Sequence, residues 1–125
     1  MFTVTAVALG GALGSLCRFG LDYLITSYLP TRFPLGTFAV NLLGCLLIGF
    51  LWGYFDKIHI HHNFKIFLFT GFLGGLTTFS TYARESSQLF FSGDTVSGIL
   101  YVVISNIFGI GAVILGFFLC FKYIR

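Results

Sequence analysis

The chain has 125 residues, of which 57% are hydrophobic and only 9% charged, and its mean hydropathy is +0.96. Soluble domains carry about 25% charged residues, so this composition excludes a soluble globular domain and indicates an integral membrane protein. The formal net charge of +3 comes from seven basic residues scattered along the sequence. Without a basic cluster, nucleic-acid binding is not expected.

Four apolar runs are long enough to cross a bilayer core, which needs about 20 residues. They extend over Phe2 to Leu24, Leu35 to Phe55, Lys65 to Phe91 and Thr95 to Tyr123. Because the connections between them are short, we expect residues 1–125 to form one all-α domain of four transmembrane helices. Residues Met1–Leu16 contain no basic segment, and the apolar character continues past any plausible cleavage point, so we expect a retained span instead of a signal peptide.

The first two spans contain glycines at GxxxG spacing, Gly10 with Gly14 and Gly49 with Gly53. Small residues allow helices to approach closely in lipid, and we expect these glycines at tight helix contacts.

Arg18 lies four residues before Asp22, so the two side chains share a helix face. A charge in the middle of a bilayer costs roughly 2.5–3.5 kcal/mol or more. We therefore expect the pair near an interface or in a wet vestibule. Mutual neutralisation and attraction of anions are both compatible with this spacing.

Asn41 lies inside the second span, where its amide donors and acceptor meet no water. An interhelical hydrogen bond would satisfy the amide. Contact with a ligand is the interpretation favoured here, because other donors and aromatic edges are expected to converge with it.

The histidines at 59, 61 and 62 could bind a metal, but only Asp56 lies near them, and a solvated connector is the better interpretation. The three cysteines are far apart in apolar segments, so we expect them to be free and buried. The sequence contains no nucleotide-binding glycine loop, HExxH motif or nucleophile elbow, and we expect no enzyme activity.

The stretch from Gly71 to Tyr82 departs from the pattern of a continuous membrane helix. Adjacent glycines weaken a helix, and irregular backbone at membrane depth must be buried in protein or line a wet cavity. We predict that the third helix is broken at its centre, close to Gly75, and that the break forms an ion site. The glycines and hydroxyl residues of the stretch are Gly71, Gly74, Gly75, Thr77, Thr78, Ser80 and Thr81.

Aromatic and polar side chains recur at helical spacing around this stretch. Phe79 and Tyr82 share one face of the third span, and Tyr101 and Ser105 share one face of the fourth, with Asn106 pointing about 100° away from Ser105. Packing would explain any one aromatic, but two aromatic or hydroxyl side chains per helix at helical spacing, beside a hydroxyl-rich break, favour a pore lining. This interpretation requires Phe79 to face protein and not lipid.

The sequence resembles the Fluc/CrcB family of fluoride channels over all four spans. The resemblance implies a passive, highly selective channel that exports cytoplasmic fluoride and relieves fluoride toxicity, located in the plasma membrane or cell inner membrane. The motifs that carry it are GALG from Gly11 followed by Arg18, Gly36-Thr37 with VNLLG from Val40, GFLGGLTTFST from Gly71 running on to Glu85, and Tyr101 with Ser105.

The resemblance also implies an antiparallel, dual-topology homodimer with two separate fluoride pores. A structural sodium ion would lie at the dimer axis, held by the backbone carbonyls of Gly74 and Thr77. Tyr82 stands where the family usually has a second pore phenylalanine, and its hydroxyl could change the conduction rate. The implied pore residues are Asn41, Phe79, Tyr82, Tyr101 and Ser105, with Ser80 and Thr81 as nearby hydroxyl donors and Arg18 near the vestibule.

The distribution of basic residues does not fix the orientation in the membrane. Insertion in both orientations, which an antiparallel pair needs, and insertion in one orientation both remain open. One side would carry Lys57, Lys65, Lys122 and Arg125, and the other Arg32, with Arg18 and Arg84 at span ends.

Three other functions fit the sequence less well. A small multidrug antiporter would need a membrane carboxylate in the first span, where only Asp22 is available beside Arg18. An accessory membrane subunit would leave the hydroxyl–phenylalanine break unexplained. A fluoride–proton exchanger would need an acidic proton carrier at mid-membrane, and Glu85 lies about two turns past the break.

Overall fold

The computed structural model describes residues 1–124, which form helices joined by short connections, with no strand in that range. Four segments are long and apolar enough to cross a membrane, as predicted: Phe2–Tyr28, Leu35–Phe55, His62–Phe91 and Thr95–Tyr123. The bounds of the second and fourth agree with the sequence prediction. The first helix continues one turn further, to Tyr28, and the third span begins earlier, at His62.

We label the helices α1 (Phe2–Tyr28), α2 (Leu35–Phe55), α3 (residues 62–76), α4 (Phe79–Phe91) and α5 (Thr95–Tyr123). Helix α3 starts as an α-helix over His62–Ile66, widens into a π-helix over Phe67–Leu73 and ends as an α-helix over Gly74–Leu76. Thr77 and Thr78 are extended and separate α3 from α4.

The predicted interruption of the third span is present, but it lies at Thr77 and Thr78 instead of at the glycines. Thr78 has φ −148° and ψ 120°, an extended conformation that β-branched residues favour. Gly74 and Gly75 remain helical. The interruption therefore lies within the predicted stretch, two residues after Gly75, which stays helical and packs closely on α1.

Helices α1 and α3 pack through glycines. A Cβ atom at Gly14 would collide with the carbonyl oxygen of Phe72, and one at Gly75 would lie 2.6 Å from the carbonyl oxygen of Gly11. The two backbones are thus in direct contact, as the GxxxG spacing predicted.

Helices α2 and α5 form a second tight pair. A Cβ atom at Gly49 would collide with the carbonyl oxygen of Val113, and one at Gly116 would lie 2.7 Å from the amide nitrogen of Phe50. Helix α3 packs on α1, whereas α4 packs on α5. The break at Thr77 and Thr78 therefore takes the chain from one helix pair to the other.

The connecting residues show how the helices begin. His61 Nδ1 accepts a hydrogen bond from the amide of Asn63 at 3.3 Å, and Asp94 Oδ1 accepts one from the amide of Ser97 at 3.2 Å. Among residues 1–124 no group of three histidine, cysteine or acidic side chains is placed so that it could hold a metal ion.

The cysteines are free, as predicted, but only Cys120 is fully buried and Cys45 is half-buried. Cys17 is exposed, contrary to expectation, because it lies on a face of α1 that no other helix of the chain covers.

Candidate functional site

The helix break is held in place by a side chain from the second span. Asn41 Nδ2 donates to the carbonyl oxygen of Thr78 at 3.0 Å, and the amide of Thr78 donates to Asn41 Oδ1 at 2.7 Å. The amide thus pairs with both backbone polar groups of Thr78, as a neighbouring strand would. Of the two interpretations for Asn41, an interhelical hydrogen bond or contact with a ligand, the hydrogen bond is present. One proton of the Asn41 Nδ2 group is not used by it and remains for another acceptor.

Hydroxyl groups satisfy the start of α4. Thr78 Oγ1 accepts a hydrogen bond from the amide of Thr81 at 3.2 Å, which makes Thr78 the N-cap of the helix. The same oxygen lies 3.1 Å from Thr81 Oγ1 and 3.4 Å from Ser80 Oγ. Thr77 Oγ1 donates to the carbonyl oxygen of Leu73 at 3.0 Å, which gives a carbonyl group in the last turn of α3 a side-chain hydrogen bond.

The two carbonyl groups suggested for sodium binding have lost their usual helical donors. In an α-helix the amide of Thr78 would donate to Gly74 and the amide of Thr81 to Thr77. Here the first amide donates to Asn41 and the second to the Thr78 hydroxyl. Gly74 is exposed on the surface of the single chain. Carbonyls freed at a helix break are suitable sodium ligands, so the backbone at Gly74 and Thr77 fits this role.

A cavity of about 390 Å³ opens beside the break, between α2, α3, α4 and α5. We call it the central cavity. Within the described residues its lining contains no charged side chain. Six of the residues predicted from the sequence contribute to it, namely Asn41, Gly74, Thr77, Phe79, Tyr82 and Ser105.

The other predicted residues lie outside the lining of the central cavity. Ser80 and Thr81 contact Thr78 from behind the break. Arg18 lies on α1 and forms no salt bridge with Asp22 or any other acidic group of residues 1–124. Asp22 instead faces the backbone of Gly36, where its carboxylate fills the space of the missing Cβ. Mutual neutralisation of Arg18 and Asp22 is therefore not observed.

Phe79 and Tyr82 form the aromatic edge of the central cavity, with ring centroids 5.6 Å apart. The side chain of Phe79 is 79% exposed in the single chain. The requirement that Phe79 face protein is therefore not met within the single chain, whose surface here leaves an aromatic ring uncovered next to polar, irregular backbone.

Tyr101 is fully buried and points away from the central cavity toward a carboxylate. Its hydroxyl donates to Glu85 Oε2 at 2.9 Å, and the Thr37 hydroxyl donates to Glu85 Oε1 at 2.8 Å. Both carboxylate oxygens are therefore paired. These contacts of Glu85 were not predicted from the sequence, although an acidic residue inside an apolar span is itself a sign of a polar contact.

Ser105 and Asn106 both line the central cavity. Ser105 Oγ is buried and has no hydrogen-bond partner in the described part of the chain. Asn106 Nδ2 donates to Tyr82 Oη at 3.1 Å. Helical spacing points Asn106 about 100° away from Ser105, but Tyr82 lies on that side of α5, so Ser105 and Asn106 both reach the central cavity.

Comparison with known proteins agrees with this architecture. Residues 5–117 match the model of the CrcB-like protein family, Camphor Resistance (CrcB). The chain is 50% identical over 121 residues to the fluoride-specific ion channel FluC of Desulfotalea psychrophila, covering 97% of this chain and 94% of that protein.

Two further relatives carry the same name. The FluC protein of Salinibacter ruber is 44% identical over 93% of this chain and 87% of its own length, and that of Aquifex aeolicus is 44% identical over 95% and 97%. The chain therefore belongs to the CrcB/FluC family of fluoride-specific ion channels, a family of multi-pass membrane proteins and not of enzymes.

Proposed function

We propose that this protein is a passive channel that conducts fluoride and excludes other halides. The observation that carries the proposal is the central cavity, which combines uncharged hydrogen-bond donors with aromatic edges at a helix break. Membership of a family whose relatives are named fluoride-specific ion channels supports the choice of ion.

Fluoride is small and strongly hydrated, so loss of its water is the main barrier to permeation. A selective pathway has to replace that water with closely placed donors. The free Nδ2 proton of Asn41 and the hydroxyl of Ser105 are such donors. Aromatic ring edges carry positive quadrupole potential, so Phe79 can contact an anion without trapping it.

The uncharged lining also supports release of the ion. A lysine or arginine in the constriction would bind fluoride too tightly for it to leave, since conduction needs moderate binding at each site. Arg18, which lies outside the lining, is suited to attracting anions toward a vestibule without holding them in the constriction.

The functional unit we propose is an antiparallel homodimer with two pores. Irregular backbone and polar side chains are not stable against lipid tails, yet this face of the single chain exposes Gly74 and Phe79. A second copy in the opposite orientation would cover this face and turn each open cavity into an enclosed path. The weak asymmetry of basic residues is compatible with insertion in both orientations.

At the axis of this dimer we propose a structural sodium ion, bound by the carbonyl oxygens of Gly74 and Thr77 from both copies. The ion would add positive potential between the two pores. The physiological role that follows is relief of fluoride toxicity by leak of cytoplasmic fluoride across the cell membrane.

The direct test is efflux from liposomes that contain the purified protein and potassium fluoride. Addition of valinomycin should release fluoride, measured with a fluoride electrode, whereas chloride should be retained. Efflux that requires a proton gradient, or chloride release at the same rate, would rule out a fluoride-selective channel.

A further inference from the structure

We infer that Asn106 is a positioning residue, which turns the hydroxyl group of Tyr82 into a hydrogen-bond donor toward an anion in the central cavity. The inference rests on the proposed channel function and adds to it a residue and a donor group. It depends on the direction of two hydrogen bonds made by one amide.

The orientation of the Asn106 amide is fixed by a neighbouring carbonyl. Asn106 Nδ2 lies 2.8 Å from the carbonyl oxygen of Val102, one turn earlier on α5. A carbonyl oxygen can only accept a hydrogen bond, so the side-chain atom facing it must be the nitrogen and not the oxygen. The alternative amide orientation would place two acceptors against each other.

The same nitrogen lies 3.1 Å from Tyr82 Oη. An amide nitrogen has two protons and no acceptor capacity, so one proton is used by Val102 and the other by Tyr82. The phenol oxygen is consequently the acceptor in this contact. Its own proton is left available, and no described residue accepts it.

The Tyr82 ring is held so that this proton stays at the central cavity. The ring centroid is 5.2 Å from that of Tyr101 on α5 and 5.6 Å from that of Phe79 on the same helix. Because Tyr101 is fully buried, it gives the ring a rigid support. Tyr82 and Asn106 both line the central cavity, so an ion in the cavity would be within reach of the available proton.

A second unused hydroxyl lines the same cavity. Ser105 precedes Asn106 in α5, and its buried oxygen has no protein partner among residues 1–124. A buried polar group without a partner is destabilising. Two hydroxyl protons without protein acceptors, lining an uncharged cavity, are suited to a small, hard anion that accepts from both.

Without Asn106, no hydrogen bond would keep the Tyr82 oxygen as an acceptor and its proton available to the central cavity. The Tyr82 hydroxyl could then rotate or donate elsewhere, and the oxygen lone pairs would face the ion as readily as the proton. The effect of Asn106 on fluoride should therefore act entirely through the hydroxyl of Tyr82.

The test is a double-mutant cycle measured as fluoride efflux from liposomes. Asn106→Leu, which keeps the volume but removes the donor, should lower the efflux rate about tenfold, as expected for one hydrogen bond. In the Tyr82→Phe background, which has no hydroxyl to orient, the same change should lower the rate less than about twofold. Asn106→Gln, which keeps the amide, should recover part of the rate.

The matched control is Asn63→Leu, in the first turn of α3 and outside the central cavity, which should leave efflux unchanged in both backgrounds. Dimer content by size exclusion is measured for each variant. If Asn106→Leu does not give a homogeneous protein, Asn106→Ala takes its place, and Tyr82→Phe alone must still slow efflux.

Equal loss in both backgrounds, or a Tyr82→Phe variant as fast as the unmodified protein, would overturn the inference while leaving the channel function in place. An unmodified protein that releases no fluoride would instead contradict the proposed function itself.

Discussion

The side-chain amide of Asn41 and the backbone of Thr78 form a two-way hydrogen-bonded pair, at 3.0 and 2.7 Å, between residues 37 positions apart in the sequence. This pair replaces helical hydrogen bonds where the third span is interrupted. It also places an amide proton beside the central cavity. One residue thus stabilises the break and provides a donor to the proposed pathway.

We expect Asn41→Asp to reduce fluoride efflux at least about 100-fold. A carboxylate can accept from the Thr78 amide but cannot donate to its carbonyl or to an anion, and a lost hydrogen bond to a buried group costs roughly 1–3 kcal/mol. The negative charge adds repulsion of fluoride. Asn63→Asp, the same change at the membrane surface, should leave efflux unchanged. Near-normal efflux in Asn41→Asp would remove Asn41 from the pathway.

Phe79→Ile should slow fluoride efflux by about tenfold or more while the dimer persists. Isoleucine keeps the apolar character but lacks the positive ring edge that contacts an anion. The matched control is Phe91→Ile, since Phe91 is on the same helix and is 90% exposed but lies outside the central cavity. Equal efflux rates in the two variants would show that Phe79 serves packing alone.

Gly14→Ala should destabilise the protein by about 1–3 kcal/mol, the usual cost of overpacking. The added methyl group would collide with the backbone carbonyl of Phe72, which cannot move aside as a flexible side chain could. Gly20→Ala, on the same helix and with nothing within 4 Å of its new Cβ, is the control. Thermal unfolding in detergent measures both, and a Gly14→Ala midpoint equal to that of Gly20→Ala would contradict the close contact of α1 and α3.

Removal of sodium should weaken the proposed dimer without coupling transport to sodium. The carbonyl oxygens of Gly74 and Thr77 from the two copies would no longer share a cation. Their negative ends would then face and repel each other across the proposed dimer axis. We expect the thermal midpoint in a sodium-free N-methylglucamine buffer to fall, and to recover on addition of sodium. Fluoride efflux driven by an imposed sodium gradient would contradict a purely structural ion.

The number of spans and the limits of the second and fourth could be predicted from the sequence because hydropathy is a local property. The same holds for the chemical character of the third span, where glycines and hydroxyl residues interrupt an apolar run. Those features were enough to indicate a break and an uncharged, donor-rich site. They also carried the resemblance to the fluoride channel family.

Tertiary structure decided where the break falls and which groups remain free to bind an ion. Thr78 could leave the helix because Asn41 from another span pairs with both of its backbone groups. Tyr101 turned out to pair with Glu85, and Asn106 with Tyr82. Hydrogen-bond partners in a water-free interior are set by helices that meet in space, and spacing along one helix does not contain that information.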